Sequence, residues 1–539
     1  MDILEGLGQG LAVAFQPTNL LFVFVGVLIG MVIGVLPGLG PTATIALLLP
    51  LTFGLEPATA VIMLAGIYYG SMYGGTITSV LLQLPGEASS VVTVIDGHQM
   101  ARQGRAGAAL GIAAIGSAIG GVVATVGLIL LAPPLAGLAL RLGPPEFTFI
   151  AMLGLVLAAY LGTRSFAKSF GAAALGLLLA TVGQDPIEGT SRFAFDSINL
   201  LGGLDFAAIA MGLFGVGEVL YSLEQRQGGL VIAKKIGRAL PSKAEFKQSR
   251  GAIGRGSVLG FGLGVLPGGG GMVPPLASYA IEKRFSKNRA NFGRGAIEGV
   301  AGPETANNAG AQAAFVPLLT LGLPANGVLA LMFGALLIQG ITPGPQLVDQ
   351  HPAVFWGVIA SMFIGNLLLL VLNIPLIGVF IKILRIPFAV LGPIAAIVTL
   401  IGVFTINNDI FDMWVVLAFG AVGYLMRKAG FEPGPLVLAF VLGVIVERSM
   451  RQSLLLANGD LDIFVTRPAS AVLLAVLVSL VLMAAVQAVR RRRHASPPTG
   501  EHDAAEAQLP NGEQAHPVTG APVTAGQVAE APCEPGAQR

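Results

Sequence analysis

Apolar blocks recur along the chain with few interruptions, and they lack the every-second-residue alternation of a membrane barrel. They fall at Thr18–Pro50, Pro57–Leu84, Ala106–Leu140, Phe147–Gly162, Phe166–Gly183 and Phe206–Leu223. After a basic stretch they resume at Gly256–Ile281, Ala309–Leu323, Gly327–Gly340, Ala353–Ile383, Phe388–Ile406, Phe411–Met426, Pro435–Val446 and Ala469–Val489. One helix crosses a bilayer with about 20 apolar residues, so several blocks have room for two elements. The pattern predicts an all-α polytopic membrane protein of about 12 transmembrane helices, with re-entrant hairpins and broken helices among them.

Composition sharpens this. The 539 residues are 54% hydrophobic and 11% charged, where soluble domains carry about a quarter charged residues. That balance excludes an ordinary soluble enzyme, a disordered chain and a nucleic-acid binder. Gly6 to Leu55 holds no charged residue, and the first basic residue is Arg102. Without a positive n-region the N-terminus reads as part of the mature protein. Cys533 is the sole cysteine and the five histidines are scattered, so neither a thiolate metal cluster nor a His-based zinc motif is expected. No P-loop occurs, so ATP hydrolysis is not expected and ion gradients are the energy source for any uphill step.

The charges are unevenly placed. Glu224–Arg255 carries eight Lys and Arg residues, and the positive-inside rule puts it in the cytoplasm. Arg490–Arg493 follow the last block, which predicts a cytoplasmic C-terminus, and the remainder has the composition of a disordered tail. Four parts are expected: a first membrane half over 1–223, a basic connector over 224–255, a second half with a terminal helix over 256–490, and a tail over 491–539. Lys283, Arg284, Lys287, Arg289 and Arg294 form a second basic cluster. If both clusters lie on one side, Gly256–Glu282 must enter and return, each arm spanning roughly 15 Å, or half a bilayer. Asp96, His98, Arg102 and Arg105 read as a solvated cytoplasmic cluster, and Asp185, Glu188 and Asp196 as an acidic external loop.

Gly34-Val-Leu-Pro-Gly38 recurs as Gly264-Val-Leu-Pro-Gly268, and Leu81-Leu-Gln-Leu-Pro-Gly86 echoes Thr320-Leu-Gly-Leu-Pro324. The second GVLPG lies between cationic clusters and the first does not, which predicts two inverted repeats, an arrangement found in secondary transporters. Each Pro-Gly break frees backbone N–H groups for anions and carbonyls for cations. Candidate binding residues are Gly38, Gly40, Thr42 and Thr44 at the first break and Gly268, Gly269 and Gly270 at the second. Freed carbonyls of the same loops are candidate Na⁺ ligands. In the unusually polar run Gly302–Gln312, a helix would put Glu304, Asn308 and Gln312 on one face. Asn307, Asn308 and Gln312 are candidates there, because polar groups in lipid should face a cavity or a partner. Hydroxyl-rich Tyr68–Thr78 is the matching first-half segment, with Ser71 and Thr76 as candidates. Glu87 is either an ion ligand or an exposed helix-start acid.

Three long blocks resemble the large membrane subunit of tripartite tricarboxylate transporters, the TctA family: GVLPGLGPTATIALLLPLTFGLEP, YYGSMYGGTITSVLLQLPGEASSVVTVIDGHQMARQGRAGAALG, and GVLPGGGG followed by GPETANNAGAQAAFVPLLTLGLP. The resemblance covers roughly Asn19–Arg490. It implies a bacterial inner-membrane permease, not an enzyme, without cofactor, working with a small membrane subunit and a periplasmic solute-binding protein. It implies import of tricarboxylates or related carboxylates driven by Na⁺ or H⁺, and an elevator-type mechanism similar in design to the TRAP large subunit, with higher oligomers open to it. A channel acting without a binding protein is the alternative.

Overall fold

The computed structural model describes residues 3–36, 40–160, 166–185, 187–224, 240–266, 271–383 and 388–494. Gly38 and Gly268–Gly270 lie outside these residues, as do 225–239 of the basic connector and nearly all of the tail. Seven described helices are long and apolar enough to cross a membrane: Pro17–Gly34, Pro57–Leu82, Ala106–Ala139, Phe206–Glu224, Pro352–Asn373, Ile410–Lys428 and Pro433–Leu456. Shorter apolar helices fill in between them, among them Ile3–Ala14, Pro144–Tyr160 and Phe166–Leu179. The protein is a multi-pass, all-α membrane protein. Among the described residues the one strand pair is a two-residue antiparallel ribbon, Gly183–Gln184 against Ser191–Arg192.

The centre is built from two helix pairs. Helix α1 (Pro17–Gly34) stops just before Pro37, and the chain resumes as the short α2 (Pro41–Leu48) with proline in its first turn, where a missing N–H costs nothing. Helix α3 (Pro57–Leu82) packs along α1 and is buried on all sides. Helices α4 (Val91–Arg102) and α5 (Ala106–Ala139) follow. The second set repeats the order. Helix α6 (Lys243–Gly264) opens with a capping box between Ser242 and Glu245 and stops before Pro267. Then come α7 (Val273–Phe285), α8 (Glu298–Ala313), α9 (Phe315–Leu321), α10 (Gly327–Ile338) and the long α11 (Pro352–Ile383).

The two pairs, α1 with α3 and α6 with α8, are joined in the same way. Side chains at Gly26, Gly30 and Gly34 would strike the carbonyl oxygens of Met63, Ile67 and Ser71. Those at Gly256, Gly260 and Gly264 would strike the carbonyls of Gly302, Ala306 and Gly310. The glycines correspond at a step of 230 and their partners at a step of 239. These are the steps of the GVLPG repeat and of its weaker echo. Small residues at every fourth position let membrane helices meet backbone to backbone.

Two expectations change and one boundary moves. The polar run is helical, but α8 starts at Glu298, well before the apolar block that begins at Ala309, and every one of its residues is buried. Glu304 and Gln312 on it find partners on other helices. Asp96 is not solvated. Its Oδ1 accepts the N–H groups of Gly293, Gly295 and Ala296 at 2.8–2.9 Å and its Oδ2 the Tyr279 hydroxyl at 2.9 Å, which fastens the loop after α7 to α4. Asp185 is also withdrawn from solvent, held by Arg451 at 2.8 Å and by the N–H groups of Ile187 and Glu188 at 2.9 Å.

Candidate functional site

Helices α3 and α9 both end on a left-handed residue, Gln83 with φ 59° and Gly322 with φ 69°. Glycine takes this conformation freely, whereas Gln83 takes it against its own steric preference. Each is followed by Leu-Pro, and then by a residue that starts the next helical segment, Glu87 in the first half and Asn326 in the second. Asn326 caps α10, its Oδ1 accepting from Leu329 N at 2.9 Å.

These two loops cross over. Asn326 Nδ2 donates to the Tyr68 hydroxyl on α3 at 3.0 Å, and Asn307 Nδ2 on α8 donates to Glu87 Oε1 at 3.4 Å. Tyr68 corresponds to Asn307, and Glu87 to Asn326, at the same step of 239. Each loop is thus gripped by the long buried helix of the opposite half. The breaks cross in the same sense. The Thr42 methyl lies beside Gly327 at the start of α10, and Gly271, just past the second break, lies beside Met72 and Ser89 of the first half.

Helix α8 lines up three polar side chains at one-turn spacing. The Glu304 carboxylate, 1% exposed, accepts from Thr76 Oγ1 at 2.6 Å and from the Thr93 hydroxyl. Ser117 of α5 donates to the Glu304 carbonyl at 3.2 Å. Gln312 is fully engaged with Thr125 of α5 at 2.6 Å and with Asn366 of α11 at 2.9 Å. Between them Asn308 is fully buried, and neither its Nδ2 nor its Oδ1 has a partner. An unpaired buried polar group costs about 1–3 kcal/mol, so two on one side chain call for a ligand or bound water. Asn307 Oδ1 is likewise unpaired.

The remaining sequence candidates are placed as follows. Gly40 caps α2 with open space where a side chain would be. Its carbonyl accepts from both the N–H and the hydroxyl of Thr44, at 3.1 and 2.9 Å. Thr42 is half-buried, while Ser71 is buried and turns its hydroxyl back onto the Tyr68 carbonyl at 2.9 Å. Thr76 and Gln312 spend their polar atoms on other protein groups, whereas Asn307 and Asn308 keep some free. Thr93, Ser117, Asn366 and Ser89 join the cluster without any sequence signal. Thr93, Ser117 and Asn366 are isolated polar residues whose partners lie far along the chain, while Ser89 donates to Glu87 two residues before it.

Charge sets the site apart. Three other buried acids sit against arginines: Glu146 with Arg467 at 2.7 Å, Glu282 with Arg255 at 2.6 Å, and Glu218 with Arg427. Glu304 and Glu87 meet only hydroxyl and amide groups. Among the described residues no group of three or more His, Cys, Asp or Glu side chains is arranged to hold a metal ion.

The profile of the tripartite tricarboxylate transporter TctA family matches residues 20–438, most of the chain and both helix pairs. The chain belongs to the TctA family. That places this TctA protein in a transport family rather than an enzyme family. It is 49% identical to an uncharacterized 52.8 kDa protein in the TAR-I ttuC′ 3′ region of Agrobacterium vitis, over 92% of this chain and 98% of that protein. A second Agrobacterium vitis protein, uncharacterized and in the TAR-II ttuC′ 3′ region, is 52% identical over 43% of this chain and 96% of its own length. No solved structure matches this TctA protein.

Proposed function

We propose that the protein is the large permease subunit of a binding-protein-dependent carboxylate importer, driven by a Na⁺ or H⁺ gradient and working by an elevator-type movement of two inverted halves. The crossed grip of the two loops is the observation that carries this reading. Tyr68 with Asn326 and Asn307 with Glu87 put polar side chains from both halves beside both helix breaks. Broken helices meeting this way near a bilayer midplane are how secondary transporters hold substrate. The residues around the breaks are glycine, threonine, asparagine and tyrosine, so a carboxylate is held by N–H, amide and hydroxyl donors rather than by Lys or Arg. The unpaired Asn308 amide supplies one such donor.

In this reading a periplasmic solute-binding protein delivers the carboxylate to the outer face, and a small membrane subunit completes the complex. The basic connector and the C-terminus face the cytoplasm of a bacterial cell, across its inner membrane. Uptake of labelled citrate and other di- and tricarboxylates into proteoliposomes, with the partner subunits and an imposed Na⁺ or H⁺ gradient, tests it. Saturable uptake that needs both the binding protein and one gradient is expected. Non-saturable flux that persists without either would make the protein a channel.

A further inference from the structure

We propose that Glu87 and Asn307 hold a monovalent metal cation, with the Ser89 hydroxyl as a third oxygen donor, and that the equivalent pair Asn326 and Tyr68 faces the anionic substrate. This rests on the transport reading above and assigns its two ligands to two different places.

The argument starts from unequal twins. The pairs stand at corresponding positions, yet one contains a carboxylate and the other contains none. At the neutral pair, Asn326 Oδ1 is already taken by the Leu329 N–H, so the pair offers an amide N–H and a phenol hydroxyl, both donors. Donors suit an anion. At the acidic pair the balance is reversed. Glu87 accepts from Ser89, and the contact from Asn307 Nδ2 is long at 3.4 Å. The same amide, 2% exposed, carries an Oδ1 that no donor meets. Turning the amide over brings that oxygen towards the carboxylate. Two acceptor oxygens converge favourably only around a cation.

The donor set is a carboxylate, an amide carbonyl and a hydroxyl. These are hard oxygen ligands, which select hard cations over transition metals. The single carboxylate balances one positive charge, and no arginine or lysine competes for it as happens at Glu146, Glu218 and Glu282. Gly75 leaves the Glu87 side chain its room: a side chain there would come within 2.9 Å of Glu87 Cγ.

Thermal unfolding of the purified full-length protein in lipid nanodiscs, without carboxylate or partner subunits, tests the assignment. The probes are NaCl, KCl and choline chloride at constant ionic strength. A saturable rise in Tm with Na⁺ and not with choline is expected for the wild type. Glu87→Gln and Asn307→Leu should abolish it, and Glu87→Asp should raise the Na⁺ midpoint at least tenfold while keeping the fold. Asn326→Ala should keep the Na⁺ response and lose carboxylate binding. A Na⁺ response unchanged in Glu87→Gln overturns the proposal, and so does a wild-type Tm that follows pH but ignores Na⁺. Because no carboxylate is present, that failure leaves the import reading standing, and failure of import leaves the Na⁺ result standing.

Discussion

Within the buried row on α8, three residues one turn apart have three different fates. Glu304 is closed off by two threonine hydroxyls, Gln312 by Thr125 and Asn366, and Asn308 is left open. Asn308→Ala should therefore impair uptake without lowering the amount of protein in the membrane. One hydrogen bond to a charged ligand is worth about 1.5–3 kcal/mol, so apparent carboxylate affinity should fall about 10- to 100-fold. Wild-type uptake by that variant, measured with labelled carboxylate, would remove Asn308 from the site. Gln312→Ala should behave differently. It strands the buried Asn366 Oδ1, while Thr125 keeps the Gly121 carbonyl and Asn366 Nδ2 the Met362 carbonyl, so it should lower Tm and yield of folded protein together, as read by size-exclusion chromatography. Asn307, Asn308 and Gln312 were legible in the sequence because amides are conspicuous in an apolar stretch. Thr93, Ser117 and Asn366 were not, since a lone Thr, Ser or Asn on an ordinary helix gives no sign of a partner up to 211 residues away.

Among the helices, the contact between carbonyl and glycine decides how closely each pair can approach. A Cβ at Gly260 would lie 2.5 Å from the Ala306 carbonyl oxygen, which is backbone and cannot rotate away. Gly260→Leu should force α6 off α8, costing at least about 1–3 kcal/mol, and should yield aggregated or degraded protein. Gly262→Ala on the same helix meets nothing within 4 Å and should be tolerated, with near-normal expression and Tm. Comparing the two by fluorescence-detected size-exclusion chromatography separates packing from helix propensity. At this scale the sequence was most informative about breaks. Helices α1 and α6 end at Gly34 and Gly264, at the start of the repeated pentapeptide, whose proline cannot continue a helix. It was least informative about where α8 begins, because hydropathy cannot register the helices that satisfy its polar side chains.

For the whole molecule, part of the scarce charge goes into ion pairs that fasten distant segments. Asp185 joins the loop after Phe166–Leu179 to Arg451 on Pro433–Leu456, with Arg192 and Glu447 alongside. Backbone N–H groups of Glu188 and Ile187, reinforced by Arg451 and Arg192, hold its carboxyl below the usual range. A carboxyl lowered in the folded state contributes stability above its ordinary pKa of about 3.9, and loses it as pH falls through the lowered native value. Melting curves from pH 7 to pH 3 should show a steep acid limb below about pH 4. Asp185→Asn should lower Tm at pH 7 and flatten that limb; an unchanged limb would move the acid sensitivity elsewhere. The charge pattern announced such acids but assigned them to solvent, because a count of charges is blind to which of them find a partner. The two steps, 230 before the breaks and 239 after them, carry one more consequence. The return from the second break is nine residues longer than the return from the first. That longer return includes the loop Gly293–Ala296, which Asp96 of the first half clasps by its backbone. The halves are thus not interchangeable parts: grafting the shorter return into the second half would leave Asp96 with nothing to clasp, so here the length of the chain is under constraint as much as its composition.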